Sequence, residues 1–236
     1  MQELDAIFER AKADLVFLNE DGKPDVLIWE HSCRVVMAAR AIARLPEAAT
    51  LEPDEIAVAA AGLYHDAGVI VRMRSESIAV EEILAATGDD RHRQAGATLM
   101  TESLADLLDK KTLELASQAV RTLAVRSLQT AEAKVVSDAE NLNKLGVLSL
   151  WPLIRSSVRT GRGVGAVLEK WRRQREYKYW EARIGESFHF DAVRRLAGSR
   201  LNVLAGFMEE LERAHQLSDV KELAEASHVE PDSATA

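Results

Sequence analysis

Apolar residues recur along almost the whole chain at intervals of three and four, and this spacing constrains the fold most. From Ile28 the series Ile28, His31, Val35, Ala38, Ile42 and Leu45 follows one face of a helix. Pro46 ends it. Pro53 opens the next helix, with Asp54 and Glu55 in the first turn, where carboxylates suit the helix dipole. Ile56, Ala59, Ala60 and Leu63 face inward there, and Gly68 is expected to close the segment. Further helices are predicted near 3–18, 76–87, 92–108, 112–126, 131–145, 153–159, 164–183 and 190–214. Asp21-Gly22-Lys23-Pro24 reads as a turn, and Gly88 and Gly146 as helix stops. Strand-like alternation is absent. The expectation is an all-α fold, a compact multi-helix bundle forming a single domain over 1–226. Its core spans about 25–160 and its C-terminal helices 161–226, with a flexible tail at 227–236.

At 236 residues the chain is long enough for a substantial core. A net charge of -8 argues against general binding to nucleic acid or anionic lipid, which need a basic footprint. Cys33 is the only cysteine, which excludes an internal disulfide and a thiolate zinc site. The acidic N-terminus lacks a signal-peptide profile, and no stretch approaches the ~18 uninterrupted apolar residues of a membrane span. A cytoplasmic protein without membrane association is expected.

Four ionisable residues fall where the flanking pattern points inward. His31 lies on the apolar stripe between Ile28 and Val35. It fits a core histidine bonded to a carbonyl, or a metal ligand. His65-Asp66 follows a long apolar approach and is bracketed by Gly62 and Gly68, which allow close backbone contact. It fits a helix-end pair at the surface, or two ligands to an ion lying between their directions. Asp138 falls among Val135, Ala139, Leu142 and Leu145, where a carboxylate needs a cation. Lys134 or Arg121 could supply one, or a metal could. Histidine and aspartate are the ligands a divalent ion uses when thiolate is missing.

Taken in order, with their flanks, these residues resemble the HD-domain phosphohydrolase superfamily: a histidine on one helix, a His-Asp doublet ending another, and a distant aspartate on a third. His31-Ser32-Cys33-Arg34-Val35 is similar to the family's first helix. Asp138-Ala139-Glu140-Asn141-Leu142-Asn143-Lys144-Leu145-Gly146 is similar to the segment carrying its last aspartate. The resemblance covers roughly 25–160. It implies an HD-type bundle in which His31, His65, Asp66 and Asp138 hold one divalent ion (Mn, Fe, Co, Ni or Zn). It also implies hydrolysis of a nucleotide or other small phosphoester. Some members hold a second metal with extra histidines. Here His92 stands in that region, but Arg126 occupies the position of a further histidine, so one ion is expected. Asp66, His92 and Arg126 are the candidate catalytic groups. Arg34, Arg72 and Arg121 are the candidate cations for substrate phosphate.

A non-catalytic HD-type module that binds metal or nucleotide is the alternative. A third reading uses the basic, aromatic-rich segment 155–183 to bind RNA. Nucleic acid is the less favoured partner, because Leu168, Trp171 and Tyr179 suggest packed aromatics instead. No Gly-x-Ser-x-Gly, serine triad or full phosphate-loop pattern is present.

Overall fold

The computed structural model describes residues 2–19, 21–76, 90–123 and 128–227. Arg126, Gly88, most of the helix expected over 76–87 and the tail beyond Ser227 lie outside these residues. The described residues are overwhelmingly helical. The first helix, α1 (Gln2–Leu15), ends earlier than its pattern suggested. After it, Phe17–Leu18 pairs antiparallel with Pro24–Asp25 around Gly22 (φ 72°). A ladder this short has no period to detect, so helical periodicity ran through it.

The core is organised around α4 (Glu55–Tyr64). Asp54 caps it by accepting hydrogen bonds from Ile56 N and Ala57 N, both at 2.9 Å. Every residue from Ala57 to Tyr64 is buried. On this helix pack α2 (Leu27–Ala43), which the single turn α3 (Pro46–Ala49) follows, and α6 (Asp90–Ser103), α7 (Lys110–Thr122) and α8 (Ala131–Asn143). Small residues permit the close approach. A β-carbon on Gly62 would stand 3.2 Å from Val36 Cα. The stretch Glu55–Glu76 is apolar and long enough to pass for a membrane span, yet 72% of its most apolar window is buried inside the fold. It is a core element wrapped by helices.

That stretch is not one helix. The chain turns at His65 and Asp66 and restarts as α5 (Ala67–Glu76). Gly68, expected as a stop, is instead the second residue of α5. It is a packing contact: a β-carbon there would lie 1.9 Å from the His92 carbonyl oxygen. Gly68→Ala must therefore push α5 and α6 apart. A loss of about 3 kcal/mol is expected, read from the urea midpoint; an unchanged midpoint would mean the two helices do not meet this closely.

Helix α8 ends at Asn143 with Lys144 as its C-cap, so Gly146 (φ 102°), expected as the helix stop, instead opens a short 3₁₀ turn (Val147–Ser149) that leads into α9 (Leu150–Arg159). The segment expected as one helix over 164–183 is two, α10 (Val164–Glu176) and α11 (Tyr179–Glu186), parted by Lys178 in the left-handed region (φ 51°). The long α12 (Asp191–Gln216) packs on α8, α10 and α11, and α13 (Ser218–Ser227) follows.

One ion pair, rooted in the buried Asp25, ties the start of α2 to α9. Asp25 accepts from Leu27 N at 3.0 Å, at the start of α2, and pairs with both terminal guanidinium nitrogens of Arg155 on α9. Burial pushes its carboxyl up, but the Arg155 and Leu27 hydrogen bonds outweigh that and hold it below the ordinary 3.8. A depressed folded-state value adds stability above the unfolded pKa, and that stability is lost as pH falls through the folded value. Asp25→Asn is therefore expected to be less stable than the parent at pH 7, with the gap closing below about pH 4. Urea titrations at both pH values check this, and a gap that persists in acid would exclude the ion pair as its source.

Candidate metal centre

His31 reaches the centre from α2, whose buried stripe includes Ile28, Ser32, Val35, Val36 and Ala39. His65 and Asp66 reach it from the break between α4 and α5. Adjacent residues of a continuous helix point about 100° apart. Ending the helix at this doublet frees both side chains to turn toward His31. His65 Nδ1 donates to the Gly62 carbonyl at 2.9 Å, which leaves Nε2 facing the centre.

The three ligand atoms form a compact triangle. His31 Nε2 and His65 Nε2 are 3.1 Å apart, His65 Nε2 and Asp66 Oδ2 3.3 Å, and His31 Nε2 and Asp66 Oδ2 3.5 Å. Atoms bound about 2.1 Å from one ion stand about 3.0–3.4 Å apart at octahedral to tetrahedral angles. The triangle fits a small divalent cation. The side chains keep 24% (His31), 1% (His65) and 31% (Asp66) of their surface, so the centre is rooted in the core and open on one side.

The electrostatics agree. Burial, then repulsion from His65, lowers the His31 pKa to about 4, so its imidazole is neutral at pH 7 with a lone pair to offer. Burial opposes charge on His65, but the charge and hydrogen bond of Asp66 prevail and raise its value. Burial likewise disfavours the Asp66 carboxylate, yet His65, His31 and Lys144 hold it ionised, well below the usual range.

Helix α8 supplies the fourth element, and the structure separates its two acids. Asp138 is fully buried, and its carboxylate is engaged at the start of α12. Its Oδ1 accepts from His189 N (2.9 Å) and His189 Nδ1 (2.7 Å), and its Oδ2 from Phe190 N (3.0 Å). Neither Lys134 nor Arg121 is its partner. Residues two apart on a helix point about 200° from each other, so Glu140 faces the other way. Its buried carboxylate is paired with Lys144, and its charge acts on both His31 and His65. Burial raises the Glu140 pKa, but Lys144 and His65 overcome this and bring it to about 2. The group whose ligand atoms all lie within 4.8 Å of one another is His31, His65 and Asp66; neither Asp138 nor Glu140 belongs to it.

Glu140 and Lys144 are the functional candidates that sequence reasoning passed over. Both stand in the quoted segment, but only tertiary packing shows that the charge of Glu140 reaches both histidines while Asp138 is engaged by His189 and Phe190.

The other predicted residues spread out. His92 is buried rather than at the surface, and its Nε2 lies 2.5 Å from Arg72 Nη1. Guanidinium can only donate, so His92 Nε2 accepts and its proton sits on Nδ1. Arg72 also clamps Glu76 through two bonds of 2.8 and 2.7 Å. Arg34 stands 3.9 Å from Glu30 and, with Asn143 and Arg200, lines a cavity of about 660 Å³ that no member of the triangle lines. Arg121 is exposed on α7. Arg93 was not singled out in the sequence; its charge reaches Glu140.

Known proteins give a consistent picture. No curated protein matches this chain in sequence. Among solved structures, a predicted HD superfamily hydrolase from an uncultured Thermotogales bacterium is similar at 17% identity and a TM-score of 0.52, over 89% of this chain and 92% of that one. Bacillus subtilis YpgQ is similar at 19% identity and a TM-score of 0.58, over 90% and 95%. YpgQ has also been solved in complex with ADP, and that structure is 18% identical to this chain with a TM-score of 0.57, over the same 90% and 95%. The sequence matches the HD domain model over residues 28–145, a span that holds His31, His65, Asp66 and Glu140, and the chain belongs to the HD-domain family.

Proposed function

We propose that this protein is a divalent-metal-dependent phosphohydrolase acting on a nucleotide or other small phosphoester. The triangle of His31 Nε2, His65 Nε2 and Asp66 Oδ2 carries the reading, since its size, its open side and the neutral state of His31 all suit one divalent cation. Manganese, iron, cobalt, nickel and zinc all accept such nitrogen and oxygen ligands. A bound ion would supply a Lewis acid that lowers the pKa of water and polarises a phosphoryl oxygen. The ADP complex of YpgQ supports a nucleotide as the substrate class.

The protein's own groups have distinct tasks in this scheme. His31, His65 and Asp66 bind the ion, with the Gly62 carbonyl fixing the His65 ring. Glu140, rather than Asp138, is assigned the fourth position, because its charge is felt by both histidines while Asp138 is engaged by His189 and Phe190. Releasing Glu140 from Lys144 would free a cation to neutralise phosphate charge. Arg93 is a second such cation, since its charge reaches Glu140. Arg72 and His92 form a joined pair that links α5 to α6.

The test is metal content and turnover of the purified chain. Reconstitution should give one ion per chain, with hydrolysis of at least one nucleotide or small phosphoester. Glu140→Gln is expected to weaken metal binding tenfold or more, and Asp138→Asn to leave it within twofold. The reverse order would return the fourth position to Asp138. Failure to take up any of the five metals would end the metal-centre reading. A loaded protein inert toward the whole phosphoester panel would instead be a non-catalytic HD-type module.

A further inference from the structure

A second cavity lies away from the metal centre, between α9, α10 and the α10–α11 junction. It has a volume of about 800 Å³, within the range of small-molecule sites. None of His31, His65, Asp66 or Glu140 lines it. Three cations do, Arg162, Lys170 and Arg173, against one acid, Glu169. Neighbouring arginines are engaged: Arg172 with Glu212 at 3.0 Å, Arg175 with Glu181 at 3.1 Å, and Arg183 with Asn141 at 2.6 Å. The side chains of Arg162, Lys170 and Arg173 make no hydrogen bond or ion pair among the described residues. Three cations against one acid around one concavity, in a chain of net charge -8, create a local positive field that attracts a polyanion.

Backbone strain at the same place concerns the cavity too. On a continuous helix Tyr177 and Tyr179 would point about 200° apart, to opposite sides. Lys178 adopts a left-handed conformation, uncommon for a side chain without a short polar group, and breaks the helix between them. As a result both tyrosines line the cavity. The Tyr179 ring is fixed, since its hydroxyl accepts from Arg183 at 2.9 Å and the guanidinium lies over its face. Tyr177 is 75% exposed, with its ring available at the rim.

We propose that this cavity is a second ligand site, specific for a nucleoside polyphosphate. Arg162, Lys170 and Arg173 would hold the phosphates and Tyr177 would stack on the base. A concavity of this volume, open on one side, has room for one nucleotide. A nucleic-acid strand would need a basic track extending beyond it. The site does not depend on the metal centre.

The test uses the full chain, stripped of metal with EDTA and titrated calorimetrically with ADP and with pyrophosphate. ADP is expected to bind the metal-free protein. The pair Lys170→Glu and Arg173→Glu should weaken it at least tenfold, whereas Asp66→Ala, at the partly exposed vertex of the metal centre, should leave it unchanged. Tyr177→Ala should cost ADP about fivefold and pyrophosphate nothing. The charge-reversed residues are exposed, and the neutral pair Lys170→Gln and Arg173→Gln should lose affinity in the same direction if reversal perturbs folding. Absence of ADP binding without metal, or full affinity in both charge variants, would overturn the site. Pyrophosphate binding as tightly as ADP with no effect of Tyr177→Ala would overturn its specificity for a nucleoside. An oligouridylate binding at low salt where ADP does not would replace the nucleotide by single-stranded nucleic acid.

Discussion

Asp66→Ala is expected to yield a folded protein that retains under a tenth of the parent's metal and loses at least about 10³-fold in phosphoester hydrolysis, roughly 4 kcal/mol of transition-state stabilisation. Asp66 is the informative vertex for two reasons. Its oxygen is one of the three ligand atoms, 3.3 Å from His65 Nε2 and 3.5 Å from His31 Nε2, and it alone brings negative charge to the triangle. Two imidazoles without it face each other at 3.1 Å, with only the Glu140 charge, already paired with Lys144, to favour a cation between them. Its side chain also keeps 31% of its surface, so truncation leaves no hole in the core. His65, at 1%, would confound metal loss with a packing defect. Metal content by mass spectrometry and an unchanged thermal melt of the metal-free protein check the prediction. Full metal occupancy in this variant would place the ion elsewhere.

The Asp138→Ala variant should fail in the opposite way, losing about 3–5 kcal/mol of stability while a folded fraction still takes up metal. Asp138 caps α12 from another helix. The N-cap residue of α12, Phe190, offers no side-chain cap, and Asp138 Oδ2 accepts from its backbone N–H instead. The same carboxylate accepts from the backbone and the ring of His189. Alanine would leave these donors without their acceptor at a position of 0% exposure. A domain's whole stability is typically about 5–15 kcal/mol, so the loss should be plain in a urea titration. Asp138→Asn, which keeps one acceptor oxygen, should fall between. An unchanged midpoint together with lost metal would make Asp138 the ligand that the sequence pattern suggests.

The contrast between Asp138 and Glu140 shows where sequence reading stops. Nearly every residue of α8 from Glu132 to Glu140 is buried, the exception being the half-buried Lys134. A helix buried on most of its circumference has no single apolar stripe, so periodicity cannot say which of two inward acids faces the centre. His31 was easier, because α2 has an exposed face (Met37, Ala41) that orients its stripe. The break at His65-Asp66 was invisible for a related reason: apolar spacing continues through Ile70, and Gly68 looked like the stop when it is a contact with His92. The break at Lys178 carries no glycine to mark it in the sequence.

By itself the sequence determined the helical class, the membership of His31, His65 and Asp66 in one motif, and the kind of ion they suit. The first follows from local spacing, the second from the resemblance to the HD family, and the third from side-chain chemistry. Tertiary structure alone decided that Asp138 ties α8 to the start of α12, that Glu140 and Lys144 border the centre, and that Tyr177 and Tyr179 share a cavity. Those outcomes depend on which buried face meets which neighbour, and burial on several sides erases that information from the one-dimensional pattern.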